Sequence, residues 1–257
     1  MMDDNVRESA PTRADGVAAA HAEEANRLLR ALPIADYEWL LVRLTPMRLR
    51  YKQTVIEPEG PIPYVYFPRD GVGSVIAVEQ EGGDIEVGTI GNEGFIGLPV
   101  LFGDETTTNR VDIQVEGEGW RLGADVFRQM IEERPSVRRL MLRYAAYYVE
   151  QVSQSVACNR LHTLEERCAR WLLMTHDRVH ENPFELTHEY LSVMLGVRRA
   201  GVTVAMGVLQ NAGIVRYTRG RVEVLDRRRL EEASCGCYRI TQTSLDRLLG
   251  ALRRGVQ

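Results

Sequence analysis

Residues 186–215 read LTHEYLSVMLGVRRAGVTVAMGVLQNAGIV, and the spacing of small, apolar and charged residues within them decides the C-terminal fold. Thr187 is suited to cap a helix, because its hydroxyl accepts a backbone N–H of the first turn. Leu191 and Leu195 then share one face, with small Ser192 beside them. Gly196 suits a tight left-handed turn, Val197 plugs it, and a second helix directs Val202, Ala205, Met206 and Leu209 inward. Two short helices crossing steeply need a small residue where they approach, glycine at the corner and apolar residues at fixed offsets. The stretch meets these demands together and predicts a helix-turn-helix.

The second helix would begin with Arg198-Arg199, an unfavourable place for positive charge beside a helix N-terminus. That placement points to an anionic partner. Arginine donates two bonds to guanine O6 and N7, and a recognition helix enters the major groove with its first residues nearest the bases. Arg199 is therefore the first candidate for base readout and Arg198 the second, with Thr203 on the same outer side. Thr187 and His188, at the start of the first helix, are candidates for phosphate contact. Residues 214–217 (IVRY) and 221–225 (RVEVL), joined by Thr218-Arg219-Gly220, predict a hairpin with a basic tip. Arg219 and Arg221 there would touch phosphates, which position a protein on DNA without reading sequence.

Upstream the texture is different. From Met47 to Leu122 short apolar or alternating runs, such as Tyr64-Val65-Tyr66-Phe67 and residues 85–90 (IEVGTI), alternate with Gly- and Pro-rich turns. That pattern predicts an antiparallel sandwich or barrel. Helical periodicity returns at Ala124, and after Pro135 a long helix is expected to about Asn159. Leu140, Tyr144, Tyr147 and Gln151 fall on it at steps of three or four, the stripe assigned to dimer contact. Residues 1–24, without apolar periodicity, read as a disordered leader.

The 257 residues carry a net charge of -4, which on its face disfavours nucleic acid. Location reverses that reading. Residues 185–229 hold eight arginines against four acids, a net of +4, leaving -8 for the rest of the chain. Of 32 basic residues only Lys52 is lysine, which reflects source composition more than function. No apolar run approaches the roughly 18–20 residues of a membrane span, and the acidic, polar start lacks the layout of a secretory signal, so a cytoplasmic location is expected. Four cysteines do not make a disulfide scaffold in a chain of this size.

The order of parts resembles the Crp/Fnr superfamily of bacterial transcription regulators over residues 25–249. The resemblance rests on residues 65–68 (VYFP), 91–97 (GNEGFIG), 158–162 (CNRLH), 166–172 (ERCARWL), 194–199 (MLGVRR) and 217–220 (YTRG). It implies an α+β chain: an antiparallel double-stranded β-helix or jelly roll of the cyclic-nucleotide-binding type at 25–134, a dimerisation helix at 135–160, a winged helix-turn-helix at 161–249 and a tail at 250–257. It also implies a homodimer on a palindromic DNA site, with RNA polymerase as a further partner. In cyclic-nucleotide-binding relatives a Glu follows the Phe-Gly pair for the ribose and an Arg near the cassette's end holds the phosphate. Here Phe95-Ile96-Gly97-Leu98 puts Leu98 where the Glu would stand, Thr108 near the Arg position and Arg110 two residues away. The candidate effector pocket at Phe95, Gly97, Leu98, Thr108 and Arg110 is accordingly not expected to take cyclic nucleotide, since a buried phosphate without its cation is strongly disfavoured. The effector is unknown.

Cys235-Gly236-Cys237 invites a redox or metal reading. Its spacing is weak, because a closed metal site would need partners from Cys158, Cys168 or scattered histidines. Incidental thiols come first, a redox switch at Cys235 and Cys237 second, and no metal or other cofactor is assigned. Without a catalytic triad, P-loop or metalloprotease helix, no enzymatic activity is expected.

Overall fold

The computed structural model describes residues 13–79, 83–179 and 182–254. Expectations placed on residues 1–12, on Glu81 and Gly82, and on residues 255–257 of the tail lie outside these. Three short helices, α1 (Arg13–Ala22), α2 (Arg27–Arg30) and α3 (Ile34–Leu41), precede strands β1 (Thr45–Leu49), β2 (Thr54–Ile56), β3 (Tyr64–Pro68), β4 (Val72–Ala77) and β5 (Ile85–Ile90). After α4 (Leu98–Leu101) come β6 (Asn109–Val115), β7 (Gly117–Gly123), α5 (Ala124–Glu133) and the 27-residue α6 (Pro135–Leu161). The C-terminal part runs α7 (Leu164–His176), β8 (Phe184–Glu185), α8 (His188–Leu195), α9 (Arg199–Asn211), β9 (Val215–Thr218), β10 (Arg221–Val224), α10 (Arg227–Ala233) and α11 (Gly236–Arg254).

The roll consists of two antiparallel sheets, β1-β7-β3 and β2-β6-β4-β5. The chain passes from one to the other between β6 and β7, where a Cβ on Gly117 would stand 2.4 Å from the Asp70 carbonyl oxygen; only glycine allows that approach. Between the sheets and α6 lies an aromatic core. Phe95 sits with its ring centroid 5.7 Å from Phe67, 5.2 Å from Phe127 and 5.3 Å from Tyr144 of α6. These separations suit tilted aromatic contacts.

The leader needs correcting. Residues 13–22 are helical, and Glu24 is buried, accepting hydrogen bonds from Tyr37 Oη (3.2 Å) and Trp120 Nε1 (3.0 Å) and pairing with Arg69 at 3.4 Å. Those donors come from distant parts of the chain, so no local periodicity announces them. The tail likewise begins too early, since α11 continues to Arg254. Helices α10 and α11 complete the C-terminal part, and the three-residue β2 forms an edge of the second sheet.

The stripe assigned to dimer contact is corrected as well. Leu140, Tyr144, Tyr147 and Gln151 are all buried against the chain's own roll, Gln151 accepting from the Thr89 backbone N–H at 2.9 Å. The large apolar residues of α6 that remain exposed are Leu161 (73%) at its end and, along its length, Leu142 (42%), Val149 (58%) and Val156 (66%). With exposed Ala146 and Ser153 the last three recur at alternating steps of four and three, the pattern of a coiled-coil seam.

The C-terminal part docks on the roll. A buried Arg178–Glu93 ion pair at 2.7 Å joins the segment after α7 to the loop after β5, its side chains 4% and 1% exposed. Glu86 of β5 is buried, accepting from Ser74 Oγ and from Trp171 Nε1 of α7 (3.0 Å). Burial pushes its carboxyl up to about 7.

Candidate nucleic-acid interface

Thr187 caps α8 by accepting from the Tyr190 N–H at 3.1 Å. Gly196 ends that helix in the left-handed region, φ 60°, and α9 departs at 107° to α8. Val202, Ala205, Met206 and Leu209 face the interior. The opposite side of α9 is open. Arg198 stands at its N-cap without a side-chain cap bond, and Arg199 opens the first turn. Among the described residues the one ion-pair partner of Arg199 is Glu189, at 3.9 Å and exposed, a pairing that contributes little. Thr203 is exposed next to Arg199, accompanied by Val204, 64% exposed, and Val208. Sequence reasoning passed over these two valines. The signal was present: positions 204 and 208 fall opposite the buried set at 3.6 residues per turn.

His188 departs from its expected role as a phosphate contact. Its Nδ1 lies 3.1 Å from Thr203 Oγ1 and its ring stacks on Tyr217 at 4.2 Å. Burial, then the Arg199 charge, holds the imidazole below its ordinary range and so favours its neutral form. It braces Thr203 against the hairpin instead. The wing is a two-residue turn between β9 and β10, with Arg219 at φ 51° and Gly220 at φ 82°. This geometry presents Arg219 outward at the tip, flanked by Arg221, whose Nη2 donates to the Pro183 carbonyl at 3.2 Å.

A cavity of about 420 Å³ opens in the roll between Ile56, Val87, Ile90, Gly97, Leu98 and Val111, and reaches Tyr148 and Val152 of α6. Gly97 and Leu98 line it as expected. Phe95, Thr108 and Arg110 do not. Phe95 belongs to the aromatic core, Thr108 is exposed, and Arg110 pairs with Asp84 (2.7 Å) and Asp112 (2.9 Å) on the other face of β6, because strand side chains alternate and Asn109 and Val111 take the cavity side. Among the described residues no arginine or lysine lines the cavity, and the buried Tyr148 hydroxyl has no hydrogen-bond partner.

Cys235 and Cys237 are buried where α11 begins, and the other contributors come from the end of α6: Cys158 Sγ lies 3.5 Å from Cys235 Sγ, and His162 Nδ1 lies 3.7 Å from Cys237 Sγ. Cys168 sits apart in the core of the DNA-reading part. The contact with Cys158 draws the Cys235 thiol well below its ordinary value against the opposing effect of burial.

A steeply bent helix pair with a basic wing, carried behind an antiparallel roll, defines a DNA-binding transcription regulator. The description "Crp-like helix-turn-helix domain" matches residues 166–233, and "Cyclic nucleotide-binding domain" matches residues 46–134. The chain belongs to the Crp/Fnr superfamily of transcription regulators. It is 24% identical over 180 residues to the transcriptional regulator SdrP of Thermus thermophilus, covering 67% of this chain and 85% of that one. Its fold is similar to a Crp/Fnr-family regulator of Eubacterium rectale (TM-score 0.63, 18% identity, 82% of this chain and 99% of that one). It is also similar to FixK2 of Bradyrhizobium japonicum (TM-score 0.64, 16% identity, 75% and 98%). These relatives are regulators, not enzymes. Among the described residues no single helix is long and apolar enough to cross a membrane.

Proposed function

We propose that the chain acts in the cytosol as a homodimer that reads a two-fold symmetric DNA site through α9, with an uncharged, largely apolar effector bound in the roll and RNA polymerase as the further partner. The observation that carries this reading is the outer face of α9, where two arginines project from a helix N-terminus without a firm acidic partner. Arg198, Arg199 and Thr203 read bases, joined by Val204 toward thymine methyls. Thr187, Arg219 and Arg221 hold phosphates. The twin packs along Leu142, Val149 and Val156 of α6. The cavity supports the effector class: among the described residues no arginine or lysine lines it to hold a phosphate, and Ile56, Val75, Val87, Ile90, Leu98 and Val111 give it a largely apolar wall, with Asp104, Thr106, Thr107 and Asn109 as its polar groups. Because Tyr148 and Val152 belong to α6, such a ligand touches the dimer helix directly. A ligand that binds one arrangement of that helix better shifts the population toward it.

Selection of bound duplexes from a random library tests the DNA reading. A palindrome with half-sites about 34–36 Å apart is expected; an unenriched pool, or an asymmetric single site, overturns it. Calorimetric titration with cyclic AMP and cyclic GMP tests the effector class. Micromolar binding by either would refute an uncharged ligand.

A further inference from the structure

Four side chains that no step above requires converge on one point between the end of α6 and the start of α11. The ligating atoms of Cys158, His162, Cys235 and Cys237 all lie within 4.8 Å of one another. Cys158 and His162 are four residues apart at the end of α6 and so share a face. Cys235 immediately precedes α11 and Cys237 is its second residue, so both are presented at one helix start. We propose that these residues form a structural binding site for one tetrahedral thiophilic cation, zinc(II) by preference, with three thiolates and the His162 Nδ1 as ligands.

The geometry suits that ion. Zinc–sulfur bonds of about 2.3 Å in a tetrahedron set neighbouring sulfurs about 3.8 Å apart. The observed 3.5 Å between Cys158 and Cys235, and 3.7 Å between Cys237 Sγ and His162 Nδ1, are edges of that size. Three cysteines and a histidine also make a complete set, with no position left for water, which is the composition of a structural rather than catalytic zinc site.

Charge supplies an independent argument. Three thiolates around zinc(II) leave a net charge of -1, and binding releases the thiol protons to solvent. Arg170 of α7 is 7% exposed and its Nε has no hydrogen-bond partner. Among the described residues its one hydrogen bond is to Ser155 Oγ at 3.3 Å and no carboxylate pairs with it directly, though it feels the charge of Glu86. The positive charge of Arg170 acts on both Cys158 and Cys237. A buried guanidinium without a counter-ion is costly. The anionic metal centre provides the counter-ion.

The site's position gives it a structural role. Cys158 and His162 close the long helix at the joint leading into the DNA-reading part, and α11 returns from that part to insert Leu245 and Leu248 into the core of the roll. The cation fastens the two ends of this joint.

The test uses full-length protein purified under reducing, oxygen-free conditions without added metal. Mass spectrometric metal analysis is expected to find one zinc per chain, released by a thiol-blocking mercurial. Cobalt(II) exchanged into the site is expected to give thiolate charge-transfer bands and the strong d–d absorption of a tetrahedral centre. Cys235→Ser is expected to abolish both signals, while Cys168→Ala keeps them. Should the serine variant misfold, His162→Ala, at a half-exposed helix end, is expected to weaken cobalt binding at least about tenfold. Wild-type protein that holds no zinc and gives no cobalt spectrum overturns the proposal. So does a Cys158–Cys235 disulfide in the oxygen-free preparation, or a Cys168→Ala chain that loses the metal.

Discussion

Arg199 and Arg219 show how single residues divide the work of binding. Arg199, at the exposed start of α9, is expected to carry selectivity: Arg199→Ala should cost about 1–3 kcal/mol at the cognate site while leaving binding to random duplex nearly unchanged. Competition titrations measure this, and equal losses on both DNAs would remove its base-reading role. Arg219 has a different signature because it occupies the left-handed region at a two-residue turn, where Asn is favoured and Arg is not. Arg219→Asn should therefore leave thermal stability equal or higher while lowering affinity for all sequences and reducing the slope of log affinity against log salt by about 1. An unchanged slope would place Arg219 off the DNA. His188 marks the limit of reading residues singly. From its position it is a phosphate contact, but stacking on Tyr217 and the bond to Thr203 make it a brace between α9 and the hairpin.

Among the elements, α6 best separates pattern from partner. Both of its faces are apolar at helical spacing, so periodicity predicts a long helix with two packing sides. Periodicity does not say which side meets the roll. Tyr144 is drawn inward because Gly94 leaves room for it; a Cβ there would stand 2.1 Å from the Tyr144 ring. Leu142, Val149 and Val156 are left for the twin. Val149→Asp is expected to destabilise the dimer by about 3 kcal/mol or more, since it buries two facing carboxylates, and to leave the helical content of the monomer intact. Sedimentation equilibrium checks it; a dimer of unchanged affinity would move the interface elsewhere. The helix-turn-helix was legible for a local reason. Cap, corner glycine and buried offsets all lie within some 30 residues and constrain one another. The effector cavity was less so: Gly97 and Leu98 were found, but Arg110 faces away, because a two-residue strand alternation decides the face.

In the whole molecule, Glu86 lies at the contact between the roll and the DNA-reading part, where it accepts from Trp171. Its carboxyl, raised from 4.5 to about 7 by burial, is favoured in the protonated form at the interface. The sign follows from linkage: between about pH 4.5 and 7 the unfolded chain releases this proton and the folded one keeps it. Its contribution is therefore fully present below pH 4.5 and is lost as pH rises through 7, a change on the order of 3 kcal/mol. Glu86→Gln, neutral at every pH, should flatten the stability profile in that window, with the difference from wild type largest at pH 8. Denaturant titrations at pH 5 and 8 measure it; parallel profiles would show that Glu86 does not titrate there.

The amino-acid sequence alone determined the class of this protein: two parts of opposite charge, a roll of short strands, a long helix and a basic helix-turn-helix, each coded by neighbours within a few turns or one hairpin. The tertiary structure decided what depends on residues far apart in the chain. Glu24 finds Trp120, Glu93 finds Arg178, and two residues at the end of α6 meet Cys235 and Cys237 some 75 positions later. The physical reason is range. Caps, turns and periodic faces arise from local backbone geometry, whereas partners for a buried charge or thiol are chosen only when packing brings separate segments together.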